Sequence, residues 1–212
     1  MRVLTRPVVI VLLLVAAGIY VATQPPEGPR SLYQFVPERV ASLELETWQA
    51  SHDKERLRLF RAMVVLLRER YSYSWTTAIQ EAIHLLDANA TFAAARGNYA
   101  VVLPDLEAAY TTARDWTGAE YDPAAVARAE LAWWAAGRTE GQDSPAHVGD
   151  LMAVYYGLLY ETTPRAVSRS AQLRAQAAAL RDTPEEAPDW DEISRLLTES
   201  YDALHAAVGE TP

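Results

Sequence analysis

Hydrophobic positions along the chain fall into two regimes. Residues 8–23 form an uncharged and almost wholly apolar run, from Val8 to Thr23, whereas from Pro37 onward apolar residues recur every three or four positions among charged ones. A run of the first kind satisfies its backbone polar groups internally only as a helix, and it is matched to lipid or to a signal-peptide receptor. The second pattern is that of amphipathic helices, each with one buried face.

Capping residues and helix breakers divide the second regime. The punctuation predicts helices over 37–50, 53–70, 75–96, 104–116, 123–138, 145–160 and 164–181, and a last one opened by Asp189, with Glu192 placed to complete a capping box. Ser74, Asp122, Ser144 and Thr163 stand where N-caps belong, three of them directly before a proline suited to the first turn. Only 99–103 leaves an extended alternative. The expected fold is all-α: an irregular bundle of about seven or eight helices after a single N-terminal transmembrane helix. The expected organisation is a membrane anchor or signal peptide over 1–23, a Pro-rich linker over 24–36 and an all-α extracytoplasmic domain over 37–212.

The predicted core faces follow the helical period. They are Leu57, Phe60, Val64, Leu67 and Tyr71; Ile79, Ala82, Ile83, Leu86 and Ala90; Val148, Leu151, Met152, Tyr155 and Leu159; and Ile193, Leu197, Tyr201, Leu204 and Val208. Ala166, Ser170, Leu173, Ala177 and Leu180 read as a small-residue seam that permits close helix approach.

The flanks of the apolar run set a location. Tyr20 before Ala22 and Val15 before Ala17 make poor cleavage sites, which favours an uncleaved anchor. Arg2 and Arg6 hold the amino terminus in the cytoplasm, so the expected protein is a single-pass inner-membrane protein of a bacterium with its C-terminal domain periplasmic.

Composition then removes whole classes of chemistry. The chain has no cysteine, which excludes disulfides, thiolate metal sites and cysteine nucleophiles. A formal net charge of −9 argues against nucleic acid as a partner. The scattered glycines build no phosphate-cradling loop.

Three constellations remain. Glu81 and His84 have the Glu-x-x-His spacing of ferritin-like dimetal sites, with Glu44, Glu107 and Glu130 as nominal partners, but a second such motif is missing and both residues fall on the face opposite Ile79 and Ile83. Lys54, Arg58, Arg61 and Arg68 form a basic stripe in an acidic domain, a candidate interaction surface for anionic head groups or an acidic partner. Adjacent Trp133 and Trp134 point about 100° apart, so one of them is free to line a groove for a partner helix or an apolar ligand, beside Tyr155, Tyr156 and Tyr160. Asp143, Ser144, His147 and Asp150 gather triad-like groups, yet capping accounts for them. The sequence thus favours a membrane-anchored helical accessory or scaffold protein, with contacts to the membrane through residues 8–23 and to a protein partner, and with no cofactor or catalytic set. A helical dimetal-carboxylate enzyme and an apolar-ligand or lipid-binding domain are its alternatives.

Overall fold

The computed structural model describes residues 6–183 and 187–209, with side chains from Val11 onward except at position 12; Arg2 and the last three residues lie outside them. Among the described residues the chain is helical throughout, with no strand. The helices are α1 (Arg6–Thr23), α2 (Pro37–His52), α3 (Arg56–Tyr71), α4 (Trp75–Ala94), α5 (Leu103–Thr117), α6 (Pro123–Ala136), α7 (Pro145–Leu159), α8 (Pro164–Arg181) and α9 (Trp190–Val208), with a 3₁₀ turn at Tyr99–Val102. Helix α1 lies against α4. Among the described residues no helix is long and apolar enough to cross a membrane.

Local chemistry explains where most helices start. The side chains of Ser74, Asp122, Ser144, Thr163 and Asp189 each accept a backbone N–H of the first turn. Such a cap stabilises a helix by about 1 kcal/mol. The carboxylate of Glu192, in the capping-box position, is instead held by Arg195. Asp53 opens no helix. It ends α2, and Lys54 turns the chain at φ 60 before α3 begins at Arg56.

Tertiary packing closes the helices into a ring. Each helix from α2 to α9 packs on the next, and α9 returns onto α2. Short connections make successive neighbours antiparallel. The C-terminal ends of α2, α4, α6 and α8 therefore share one end of the ring, while the chain enters α2 at the other. That second end is stitched shut. Leu32 and Phe35 are buried in the core, so the ordered domain starts inside the predicted 24–36 linker. Phe35 packs edge-on against Tyr201 and His205, Trp116 Nε1 donates to the carbonyl of Ser72 at 3.2 Å, and Glu161 accepts from the hydroxyl of Tyr33 and the amide of Glu120.

Several faces differ in phase from the sequence reading. Leu57 is 83% exposed, and Ile79 and Ile83 point outward while Ala78, Glu81, Ala82, Ala88 and Phe92 are buried. The predicted seam of α8 also shifts: Ala166 and Leu180 are exposed, and the buried row is Val167, Ser170, Ala171, Ala175 and Ala177. Helix α8 packs between α7 and α9: Gly149 of α7 lies against the Gln172 side chain, and the Ser200 hydroxyl of α9 donates to the Ser170 carbonyl at 2.9 Å. By contrast, Ile193, Leu197, Tyr201, Leu204 and Val208 of α9 are all buried as predicted.

Close approach at the α7–α8 turn gives a direct test. A Cβ at Gly157 would stand 3.1 Å from the backbone nitrogen of Pro164 and the carbonyl of Thr162, whereas one at Gly137 would meet nothing closer than 3.6 Å. Gly157→Leu is expected to lower unfolding free energy by about 1–3 kcal/mol through overpacking. Gly137→Ala is expected to leave it unchanged or raise it by about 0.4–1 kcal/mol, both read by denaturant melts.

Candidate functional site

The ring encloses a cavity of about 540 Å³ to which every helix from α2 to α9 contributes. Its size is that of pockets that hold small organic molecules. The alternation of the helices gives it a direction. Ser51, His52, Asn89, Gly137, Arg138 and Asp182, at or near the C-terminal ends of the even-numbered helices, are exposed and form the mouth. Tyr71, Tyr73, Glu81, Tyr110, Tyr155 and Tyr201 are buried and form the floor and lower wall. Between them runs a shaft of half-buried apolar side chains, among them Leu59, Met63, Leu66, Leu85 and Ala178. Aromatic pairs frame the mouth: Arg181 lies 4.4 Å over the Trp48 ring and Arg138 lies 4.7 Å over Phe92.

Charge sits deep in the cavity rather than on its rim alone. Glu44 is 4% exposed and receives Arg174 Nε at 2.9 Å, Arg174 Nη2 at 2.5 Å and the Tyr201 hydroxyl at 2.6 Å. Burial pushes its carboxyl up, but Arg174 and the hydrogen bonds outweigh that and hold it below the usual carboxylate range. Glu130 has no such partner. The Tyr110 hydroxyl stands 2.6 Å from its Oε2 and 2.8 Å from the Tyr155 hydroxyl, and burial, only partly offset by Tyr110 and the more distant arginines, raises its carboxyl above the usual range. Glu81 is likewise raised by burial. The Tyr71 phenol is pushed up to about 12, chiefly by burial.

The structure assigns the sequence-derived candidates to separate places. Glu81, expected on a solvated face, is 7% exposed and lines the cavity; His84 is exposed on the outside. The other nominal ligands of a dimetal site are scattered too: Glu44 is bound by Arg174, Glu130 by Tyr110, and Glu107 is exposed. No group of three or more His, Asp or Glu side chains able to hold a metal occurs among the described residues. The residues of the basic stripe have different surroundings. Lys54 is in the inter-helix turn, Arg58 faces Glu46, Asp53 and Glu55, Arg61 is exposed, and Arg68 turns back to the carbonyls of Tyr73 and Gln24 with its guanidinium over Trp75. Trp133 and Trp134 both line the cavity, their ring centroids 6.1 Å apart. Ser144 caps α7 through the amide of His147, and Asp150 accepts from Gln172, so the triad-like residues have structural roles.

Sequence reasoning missed Arg70 and Arg174, and left Glu44 as a nominal ligand. The signal was present. In each case a charge occupies a position on the apolar period of its own helix: Glu44 between Val40, Ala41 and Trp48, Arg70 after Met63, Leu66 and Leu67, Arg174 between Ala171, Ala175 and Ala178. No protein family, characterised protein or solved structure matches the chain.

The Glu44–Arg174 pair and Glu130 have opposite linkage to pH. Glu44, depressed when folded, contributes stability above its unfolded value that is lost as pH falls through the folded one; Glu130, raised when folded, loses stability as pH rises from the unfolded value through the folded one. Glu44→Ala is expected to cost about 3–5 kcal/mol by stranding Arg174, with most of it recovered in Glu44→Ala/Arg174→Met. Glu130→Gln should instead flatten the decline of melting temperature as pH rises above the usual carboxylate range.

Proposed function

We propose that this chain is a membrane-anchored, extracytoplasmic helical protein that binds a small organic molecule in its central cavity. The carrying observation is the cavity itself. It is walled by all eight ring helices, and its lining combines apolar and aromatic side chains with a few charged ones, Glu44, Arg70, Glu130 and Arg174 among them. A cavity of ligand size with mostly apolar walls and a few convergent polar groups is the usual form of a small-molecule site. The half-buried shaft and the aromatic mouth supply apolar contact, and the convergent polar groups supply orientation. The anchor rests on the sequence of residues 8–23 and its flanking arginines, and the chain joins the ring at the closed end, opposite the mouth.

A second reading, contact with a protein partner, is favoured by one surface feature: Trp75, Ile79 and Ile83 stand exposed one turn apart along the outer face of α4. A photo-crosslinking residue at Ile83 should then give one discrete protein adduct in cells, and adducts to lipid alone would remove this reading.

For the ligand, the full chain transferred from membranes into lipid nanodiscs is expected to release a small molecule in stoichiometric amount on denaturation, identified by mass spectrometry. Ala178→Trp, which fills the shaft, should abolish it. Equal recovery from the filled variant would overturn the cavity reading. A reporter enzyme active only outside the cytoplasm, fused after Pro212, should be active.

A further inference from the structure

The two deep arginines of the cavity, Arg70 and Arg174, are in opposite situations. Arg174 is committed: its Nε and Nη2 bind Glu44, and its guanidinium lies 5.2 Å from the Trp133 ring centre. Arg70 is not. Its side chain makes one long hydrogen bond, Nη2 to the Tyr160 hydroxyl at 3.3 Å, and its Nε is buried with no partner. Among the described residues no carboxylate pairs with it: Glu44 is taken by Arg174 and Tyr201, and Glu130 is bound by Tyr110.

A guanidinium carries five N–H donors in a planar fork that fits a carboxylate, and a buried cation without an anion is costly. Glu44 and Arg174 pair with each other, which leaves Arg70 as the deep guanidinium of the cavity without a carboxylate partner. Its planar fork matches one carboxylate. The layout of α3 then gives the ligand a shape. Leu59, Met63, Leu66 and Arg70 follow one another down the cavity wall, so the distance from mouth to cation is about 16 Å at the rise of an α-helix.

We propose that the ligand is an elongated amphipathic carboxylate, its carboxylate bound by Arg70 and its apolar body in the shaft between Leu59, Met63, Leu66 and Leu85. This rests on the cavity reading above and specifies what the cavity takes. Arg70 holds the head group; the shaft selects for length and apolar surface.

The test uses the full chain in lipid nanodiscs, titrated calorimetrically with phenylbutyrate and with its neutral isostere phenylbutyramide, against protein-free nanodiscs. Phenylbutyrate is expected to bind at least about ten-fold more tightly than the amide, the range of a charge-assisted hydrogen-bonded pair. Arg70→Gln should bring the carboxylate down to the affinity of the amide and leave the amide unchanged, a result that loss of structure alone does not produce. Arg70→Lys should retain part of the preference. Equal binding of the two probes by the wild type, or a preference untouched by Arg70→Gln, overturns the assignment while leaving the cavity as a binding site. Binding of neither probe overturns both. Should Arg70→Gln fail to fold, the wild-type preference together with Arg70→Lys decides.

Discussion

The closure of α9 onto α2 is the contact on which the rest of the structure depends, and one carboxylate organises it. Glu44 on α2 accepts from Arg174 on α8 and Tyr201 on α9, so three helices distant in sequence meet at a single buried group. A helix added to an open array must bury one face and leave another exposed; a ring gives every helix two neighbours and one common interior. Replacing such an ion pair by well-packed apolar groups is often neutral for stability, so its retention concerns specificity more than strength. The hydrogen bond from the Tyr201 hydroxyl to Glu44 favours this register of α9 on α2.

Closure has a geometric consequence. Eight helices of ordinary diameter around one axis leave a space that their side chains must fill or line. On the α7–α8–α9 side the small residues draw the backbones together, with Gly149, Gly157, Ser170, Ala171, Ala175, Ala177 and Ser200 giving no bulk to the interior. The space left at the centre, lined by side chains of all eight helices, is the cavity. The tyrosines are suited to this place. Tyr110, Tyr155 and Tyr201 present apolar rings to the core and hydroxyls to one another and to Glu44 and Glu130, which lets charge lie deep without direct exposure to apolar surface.

How much of this the sequence discloses follows from what periodicity measures. Helix number and most starts were legible because caps are local: Ser74, Asp122, Ser144, Thr163 and Asp189 act on backbone within three residues. The face of α9 was legible because Ile193, Leu197 and Leu204 oppose a polar side. The face of α4 was not. Its isoleucines outweigh alanines on any hydropathy scale, yet Ala78, Ala82 and Ala88 are the buried row, and Glu81 shares their side because the interior it faces is polar. A cavity with a charged floor inverts the rule that charge marks the outside. The same inversion conceals Arg70 and Arg174 among the apolar positions of α3 and α8. Ring closure itself is a contact between α2 and α9, and nothing within either helix encodes it by spacing.

The direction of the ring connects the site to the amino-terminal run. The turns between α3 and α4, α5 and α6, and α7 and α8 lie at the end where Leu32 and Phe35 are buried and where Arg68 reaches the carbonyl of Gln24. The mouth is formed at the opposite end by the last turns of α2, α4, α6 and α8. Those turns present carbonyl ends with partial negative charge, and Arg138 and Arg181 stand there to oppose it. If residues 8–23 hold the protein to a bilayer as proposed, the floor and its cation face the membrane side and the mouth faces the aqueous compartment. A ligand then reaches Arg70 from water rather than sideways from lipid, which requires a molecule soluble enough to be free in solution and apolar enough to fill the shaft. An amphipathic monoanion meets both demands, and a neutral lipid meets only the second.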